Sequence, residues 1–317
     1  MSVDLFDERR NNIFMERTSI PLTAGFIKTP WQNYGKVKNQ GAEVTLNFRK
    51  QFSNGFFVGL MGTFTYAHNE IVEMDEPATV VGTNRAKTGW PVGQIFGYID
   101  EGLYTDADFD ADGTLRDDLP QSELYTNIRP GDIRYKDVNE DGVINVYDQS
   151  PIGGTNDPEI VYGFGLNLAW KGFDFGVLFQ GAGRMWRLMS NNIIPGYDSG
   201  GYYNVFYNYQ DRWTVDNPSQ DVFYPRLTYG PNTQNAQPST WWLKNMSYLR
   251  LKNIELGWSI PQRWADRSFL SGARIFVRGT NVLTFSGFKL WDPELDSSDG
   301  GQYPLMRSFS AGVEFKF

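Results

Sequence analysis

MRSFSAGVEFKF, residues 306–317, is the stretch whose reading decides the fold. Phe309, Ala311, Val313, Phe315 and Phe317 fall on one face of an extended chain, and Ser308, Ser310, Gly312, Glu314 and Lys316 on the other. Successive side chains of a strand point to opposite faces, so this is period-two amphipathicity carried to the last residue. A half-buried strand of a soluble sandwich shows the same alternation. A strand running unbroken to a terminal aromatic is more typical of outer-membrane barrels, which alternate apolar-out and polar-in along every strand. Phe309, Val313, Phe315 and Phe317 are therefore the expected C-terminal insertion signal.

Working back from that end, similar segments come in pairs joined by short turns. Val37–Lys50 turns into Phe56–His68, Ile160–Trp170 into Phe173–Ala182 through Lys171-Gly172, and Tyr248–Ile260 connects to Ala273–Leu283. Between the pairs lie polar excursions rich in Gly, Asn, Asp and Pro, at 15–34, 69–158, 183–247 and 284–306. Short turns on one side and long loops on the other are the mark of membrane barrels. The count is eight crossings, 3–14, 37–50, 56–68, 160–170, 173–182, 248–260, 273–283 and 307–317. With the C-terminus on the periplasmic side, every long loop lands outside. The strand-like Gln94–Tyr104 then belongs to the 69–158 excursion, since one more crossing would break the parity. The fold class expected is all-β: the C-terminal part of an antiparallel transmembrane barrel, with about eight strands and long extracellular loops.

Composition agrees. Of 317 residues, 40% are hydrophobic and 16% aromatic, while mean hydropathy is −0.45. No stretch approaches the roughly 18 apolar residues of a spanning helix. Alternation of lipid-facing and lumen-facing residues explains how a membrane chain stays this polar on average. A net charge of −8 argues against nucleic acid as a partner, which favours a basic face. There is no cysteine, so no disulfide or thiolate site. His68 is the single histidine, too few for a histidine-based catalytic or zinc centre. The N-terminal MSVDLFDERRNNIF lacks the apolar core of a signal peptide and reads as strand, so the chain is expected to be a fragment.

Asp137, Asn139, Asp141, Val143, Asn145 and Asp148 occupy positions 1, 3, 5, 7, 9 and 12 of an EF-hand- or dockerin-like loop with Gly142 at the sharp turn. Hard calcium takes six to eight oxygens, and this spacing wraps them round one ion in a structural role. An Asx-rich turn that needs no ion reads equally well. The related Asp108–Leu119 run lacks a carboxylate at position 12 and reads as a solvated acidic loop. Trp213, Trp241, Trp242 and Trp291 lie in excursions and could stack on sugar rings, against the commoner role of packing. The run Tyr197–Gly201, faintly like a protease nucleophile segment, is read as coincidence, and no catalytic residues are expected.

Six stretches carry a resemblance: YGKVKNQGAEVTLNF (34–48), GWPVGQIFGYIDEGLY (89–104), GDIRYKDVNEDGVINVYDQSPIG (131–153), YLRLKNIELGWSIP (248–261), NVLTFSGFKLWDPE (281–294) and YPLMRSFSAGVEFKF (303–317). Their order and content resemble the C-terminal region of the SusC/RagA family, TonB-linked outer-membrane proteins of Bacteroidetes. The resemblance implies a barrel of about 22 strands around an N-terminal plug. It also implies import of oligosaccharides or peptides, a SusD-like lipoprotein as extracellular lid, energy from the TonB complex through the absent N-terminal part, and residence in outer-membrane lipid. Two alternatives remain at this point: a complete eight-stranded pore or adhesin, and a secreted glycan-binding β-sandwich.

Overall fold

A computed structural model describes the chain apart from residues 21, 191–192, 195–205 and 266–269. Among the described residues one sheet holds eight strands: β1 (Ser2–Glu16), β2 (Trp31–Gln51), β3 (Phe57–Glu73), β4 (Ile160–Trp170), β5 (Phe173–Gly183), β6 (Tyr248–Ser259), β7 (Gly272–Ser286) and β8 (Ser308–Lys316). They lie in sequence order, each antiparallel to the next. All eight expected crossings are present, several extended by a few residues into the loops. The run Tyr197–Gly201 falls outside the described residues.

Register explains the two faces. Val177 of β5 pairs with Leu166 of β4 and Ile254 of β6, and Leu166 pairs with Leu60 of β3, so these apolar side chains share one surface. Val277 of β7 pairs with Leu256 and with Ala311 of β8 on that same surface. The intervening row holds Asn167, Gly176, Glu255 and Arg278. A one-residue slip would turn every apolar side chain to the wrong face, and the alternation prevents it. The apolar row is exposed, with Leu256 at 50% and Val277 at 52%, because its solvent is lipid.

The β4–β5 hairpin shows why the short turns are short. Lys171 and Gly172 both have positive φ (47° and 87°), the two-residue geometry whose twist matches paired strands. Around this periplasmic edge, Lys171 Nζ lies 4.5 Å from the Trp170 ring centre, and Trp258 meets both Phe173 and Trp264. Aromatic rings belong at this level, where one end is apolar and the other wet.

Neither alternative architecture is met. The eight strands form one sheet with no second large sheet packed upon it among the described residues, so this is no sandwich. Nor do β1 and β8 share a ladder, so the sheet does not close as an eight-stranded barrel.

The buried core lies beyond the membrane, where the two longest excursions fold into one body. Phe96–Gly97 pairs with Ser150–Pro151, Asp100–Leu103 with Ile133–Tyr135, Gln121–Ser122 with Val143–Ile144, and Trp186–Leu188 with Leu243–Asn245. Tyr98, Ile133, Tyr135, Ile144, Tyr224, Trp242 and Met246 are each almost fully buried there. The strand-like Gln94–Tyr104 is thus paired inside the excursion and adds no crossing, as the parity required.

Candidate functional site

The inner face of the wall carries an ion ladder across three strands. Arg274 of β7 donates to both oxygens of Asp174 on β5 (3.0 and 2.5 Å) and to Glu255 on β6 (2.5 Å). Arg278 donates to the other oxygen of Glu255 (2.5 Å). Each carboxylate thus meets a cation, and the ladder staples the polar face without leaving a free charge for chemistry.

Above the wall, the excursion body is joined by side chains that imitate a strand edge. Asn235 Oδ1 accepts from the Ile133 N–H (2.8 Å), while Gln234 Nε2 donates to the Ile133 carbonyl (2.8 Å). Gln220 does the same for Leu103, accepting from its N–H (2.7 Å) and donating to its carbonyl (3.1 Å). At the centre, fully buried Asp132 accepts from Arg226 Nε and Nη2, Asn232 Nδ2, Asn235 Nδ2 and the Arg129 N–H. A buried carboxylate persists only when its lone pairs are met in this way.

The same body keeps its phenols neutral. Burial pushes Tyr104 and Tyr224 each up to about 12, and raises Tyr135 further. Burial also lowers Lys244, partly offset by Asp100, while its Nζ donates to the Trp241 carbonyl. The phenols pack and bond rather than exchange protons near neutrality.

The four tryptophans expected as stacking platforms separate into two pairs. Trp242 is fully buried, its Nε1 donating to the Asn235 carbonyl (2.6 Å), and Trp213, 7% exposed, lies over the bare backbone of Gly131. Neither presents a ring face to a sugar, because core packing has taken it. Trp241 and Trp291 are half-buried; Trp241 donates to the Phe223 carbonyl (3.0 Å), and Trp291 stands edge-on to Phe288.

In the Asp137–Asp148 loop, the side chains face backbone N–H groups. Asp137 accepts from Gly142 (2.7 Å), Asp141 from Val143 (2.9 Å) and Asn145 from Tyr147 (2.9 Å). Asp148 accepts from Val138 (2.9 Å) and Asn145 (2.8 Å), and Asn139 Nδ2 donates to Asp141 (2.8 Å). The Val143 carbonyl is the remaining oxygen of the expected set. Among the described residues, no group of three or more His, Asp or Glu side chains converges as a metal would require. His68 Nδ1 lies 2.6 Å from Glu159, which also accepts from Arg184 (3.0 Å), a rim contact between strand ends. Phe309, Val313 and Phe315 stand on the lipid-facing side of the β8 region and Phe317 lies just past it, all more than half exposed.

The Asp132 clamp was not foreseen from sequence. Its side-chain partners lie 94–103 residues away, and the run Asn232–Gln237 reads locally as polar loop. The density of amide side chains there was the available signal.

A polar-lined antiparallel wall with an apolar outer face, short periplasmic turns and an outer loop body defines part of a bacterial outer-membrane barrel. Comparison with known proteins carries this to a family. The chain is 27% identical over 339 aligned positions to TonB-dependent receptor P26 of Formosa agariphila, covering 99% of this chain and 32% of that protein. It is 23% identical to TonB-dependent receptor SusC of Bacteroides thetaiotaomicron, covering 98% of this chain and 29% of that one. The solved RagAB peptide transporter superposes with a TM-score of 0.72 at 23% identity, covering 99% of this chain and 33% of its own. No protein-family model matches the sequence. The chain spans about a third of the length of the curated relatives it matches. Along nearly its whole length the chain is thus similar to one segment of TonB-dependent receptors of the SusC/RagA type, proteins of the bacterial outer membrane.

Proposed function

We propose that this chain is the C-terminal wall and outer loop body of a TonB-dependent transporter that imports an oligosaccharide or a peptide. The observation that carries the reading is the pairing of a polar inner wall with a rigid loop body beyond the membrane, in a chain similar along its length to TonB-dependent receptors. The free edges of β1 and β8 are then paired by further strands, since an open edge in hydrocarbon costs several kcal/mol per unmet backbone group. TonB supplies energy through the N-terminal part, and a SusD-like lipoprotein covers the loop body. The similarity to SusC and to a peptide transporter leaves both ligand classes open.

The role is transport, with no catalytic residue assigned. Phe309, Val313, Phe315 and Phe317 serve as the insertion signal, and half-buried Trp241 and Trp291 are the tryptophans left for ligand contact. A calcium ion taken up by the Asp137–Asp148 loop would play a structural role. Hydrogen exchange over 137–148, compared in calcium and in chelator, tests it; equal protection in both refutes the ion. For the main reading, the gene is deleted in its host, and uptake of labelled glycan and peptide mixtures is measured. Loss of one class names the ligand, and unchanged uptake of both refutes transport.

A further inference from the structure

The last excursion turns inward. Arg250 of β6 pairs in register with Gln180 of β5 and Thr284 of β7, on the same side of the sheet as Glu255 and Arg278. An inner-wall arginine at a barrel mouth should be wet, yet Arg250 is 1% exposed. Its cover is the segment after β7. Asp292 accepts from Arg250 Nη2 at 2.5 Å, and Glu294 lies 3.3 Å from the same nitrogen. Two residues on, Asp296 pairs with Arg187, whose side chain is 12% exposed.

Carboxylates at 292, 294 and 296 thus form a comb, while Pro293, Leu295 and Ser297 are buried between them. The segment belongs to no sheet and folds through a turn, the Leu295 N–H donating to the Asp292 carbonyl (3.0 Å). Its backbone is tied to a neighbouring segment by the Ser190 N–H to the Ser298 carbonyl (3.2 Å). Side-chain charge, together with the burial of Phe288 and Leu295, holds it down in place of a ladder, and such a contact weakens when a buried partner is lost.

We propose that residues 287–299 are a strap clasped to the inner wall by Arg250 and to the loop body by Arg187, and that loosening this clasp frees the barrel mouth on this side. The strap rests on the fold, and it stands or falls independently of which ligand is imported. The chain has no cysteine, so a thiol introduced here is read on its own peptide after digestion. Ser297→Cys, at a site 6% exposed, is placed in the complete receptor in isolated outer membranes and treated with a hydrophilic maleimide. Adding Arg250→Gln should speed labelling about a hundredfold, the opening expected when a buried ion pair loses one partner. Asp296→Asn removes a carboxylate that is 86% exposed and leaves the core intact, and should speed labelling several-fold. A control thiol at Thr155, buried in the loop body on the 69–158 excursion, should keep its rate in both backgrounds. Unchanged labelling at 297 in both variants overturns the strap. So does an equal rise at 155, which would mean general unfolding.

Discussion

Replacing Asp132 with alanine should detach one long excursion from the other while leaving the membrane wall intact. The carboxylate accepts five hydrogen bonds, at 2.8–3.1 Å, from Arg226, Asn232, Asn235 and the Arg129 N–H. Losing the partner of a buried cation costs about 3–5 kcal/mol. Here Arg226 is 20% exposed and can turn partly to water, which moves the cost toward the lower end. The Asn232 and Asn235 amides lose an acceptor in a buried site, adding about 1 kcal/mol each. A total near 4–5 kcal/mol follows, and at 1.4 kcal/mol per decade this is about a thousandfold in local opening. Hydrogen exchange on the complete receptor reads it directly. Peptides spanning 129–135 and 226–236 should exchange faster by that factor, and the β4–β5 hairpin should not change. Asp132→Asn keeps the shape and one acceptor oxygen, so its effect should fall between wild type and alanine. A rise below about tenfold in alanine would mean that apolar packing holds the body, and the clamp argument would fail.

Other outcomes follow from single positions. Leu166→Arg puts a charge on the lipid face near mid-strand and should cost about 2–4 kcal/mol, while Asn167→Arg on the inner face should be nearly neutral; the folded fraction by heat-modifiable gel mobility separates them. Gly131 has φ +88° and a Cβ there would enter the Trp213 ring, so Gly131→Ala should cost about 2–4 kcal/mol and expose the 206–236 segment to protease. Burial raises the Asp75 carboxyl, but the Ser19 N–H and hydroxyl and the Arg17 guanidinium outweigh it and hold the pKa below the ordinary 3.8. A depressed carboxylate stabilises in full above its unfolded value and loses that contribution as pH falls through the folded one. Exchange at the Ser19 amide should therefore accelerate below about pH 4, and Asp75→Asn should abolish that acid dependence.

The sequence by itself determined the wall. Strand alternation is a local signal with a period of two, turns such as Lys171-Gly172 declare their geometry in adjacent residues, and loop parity places every end. Family-like stretches such as GDIRYKDVNEDGVINVYDQSPIG (131–153) then pointed to the receptor class. What tertiary structure decided lies in the excursions, where no period constrains the chain. Trp213 and Trp242, legible only as loop aromatics, are core residues because segments far apart in sequence close over them. Asp132 looks like any loop acid until Arg226 and Asn235 reach it from about a hundred residues away. Arg250 reads as one more polar wall residue, and the inward turn of Asp292 and Glu294 is what buries it. Local alternation decides which face a strand side chain takes. Partners distant in sequence decide whether a loop side chain is free, and only the folded chain brings them together.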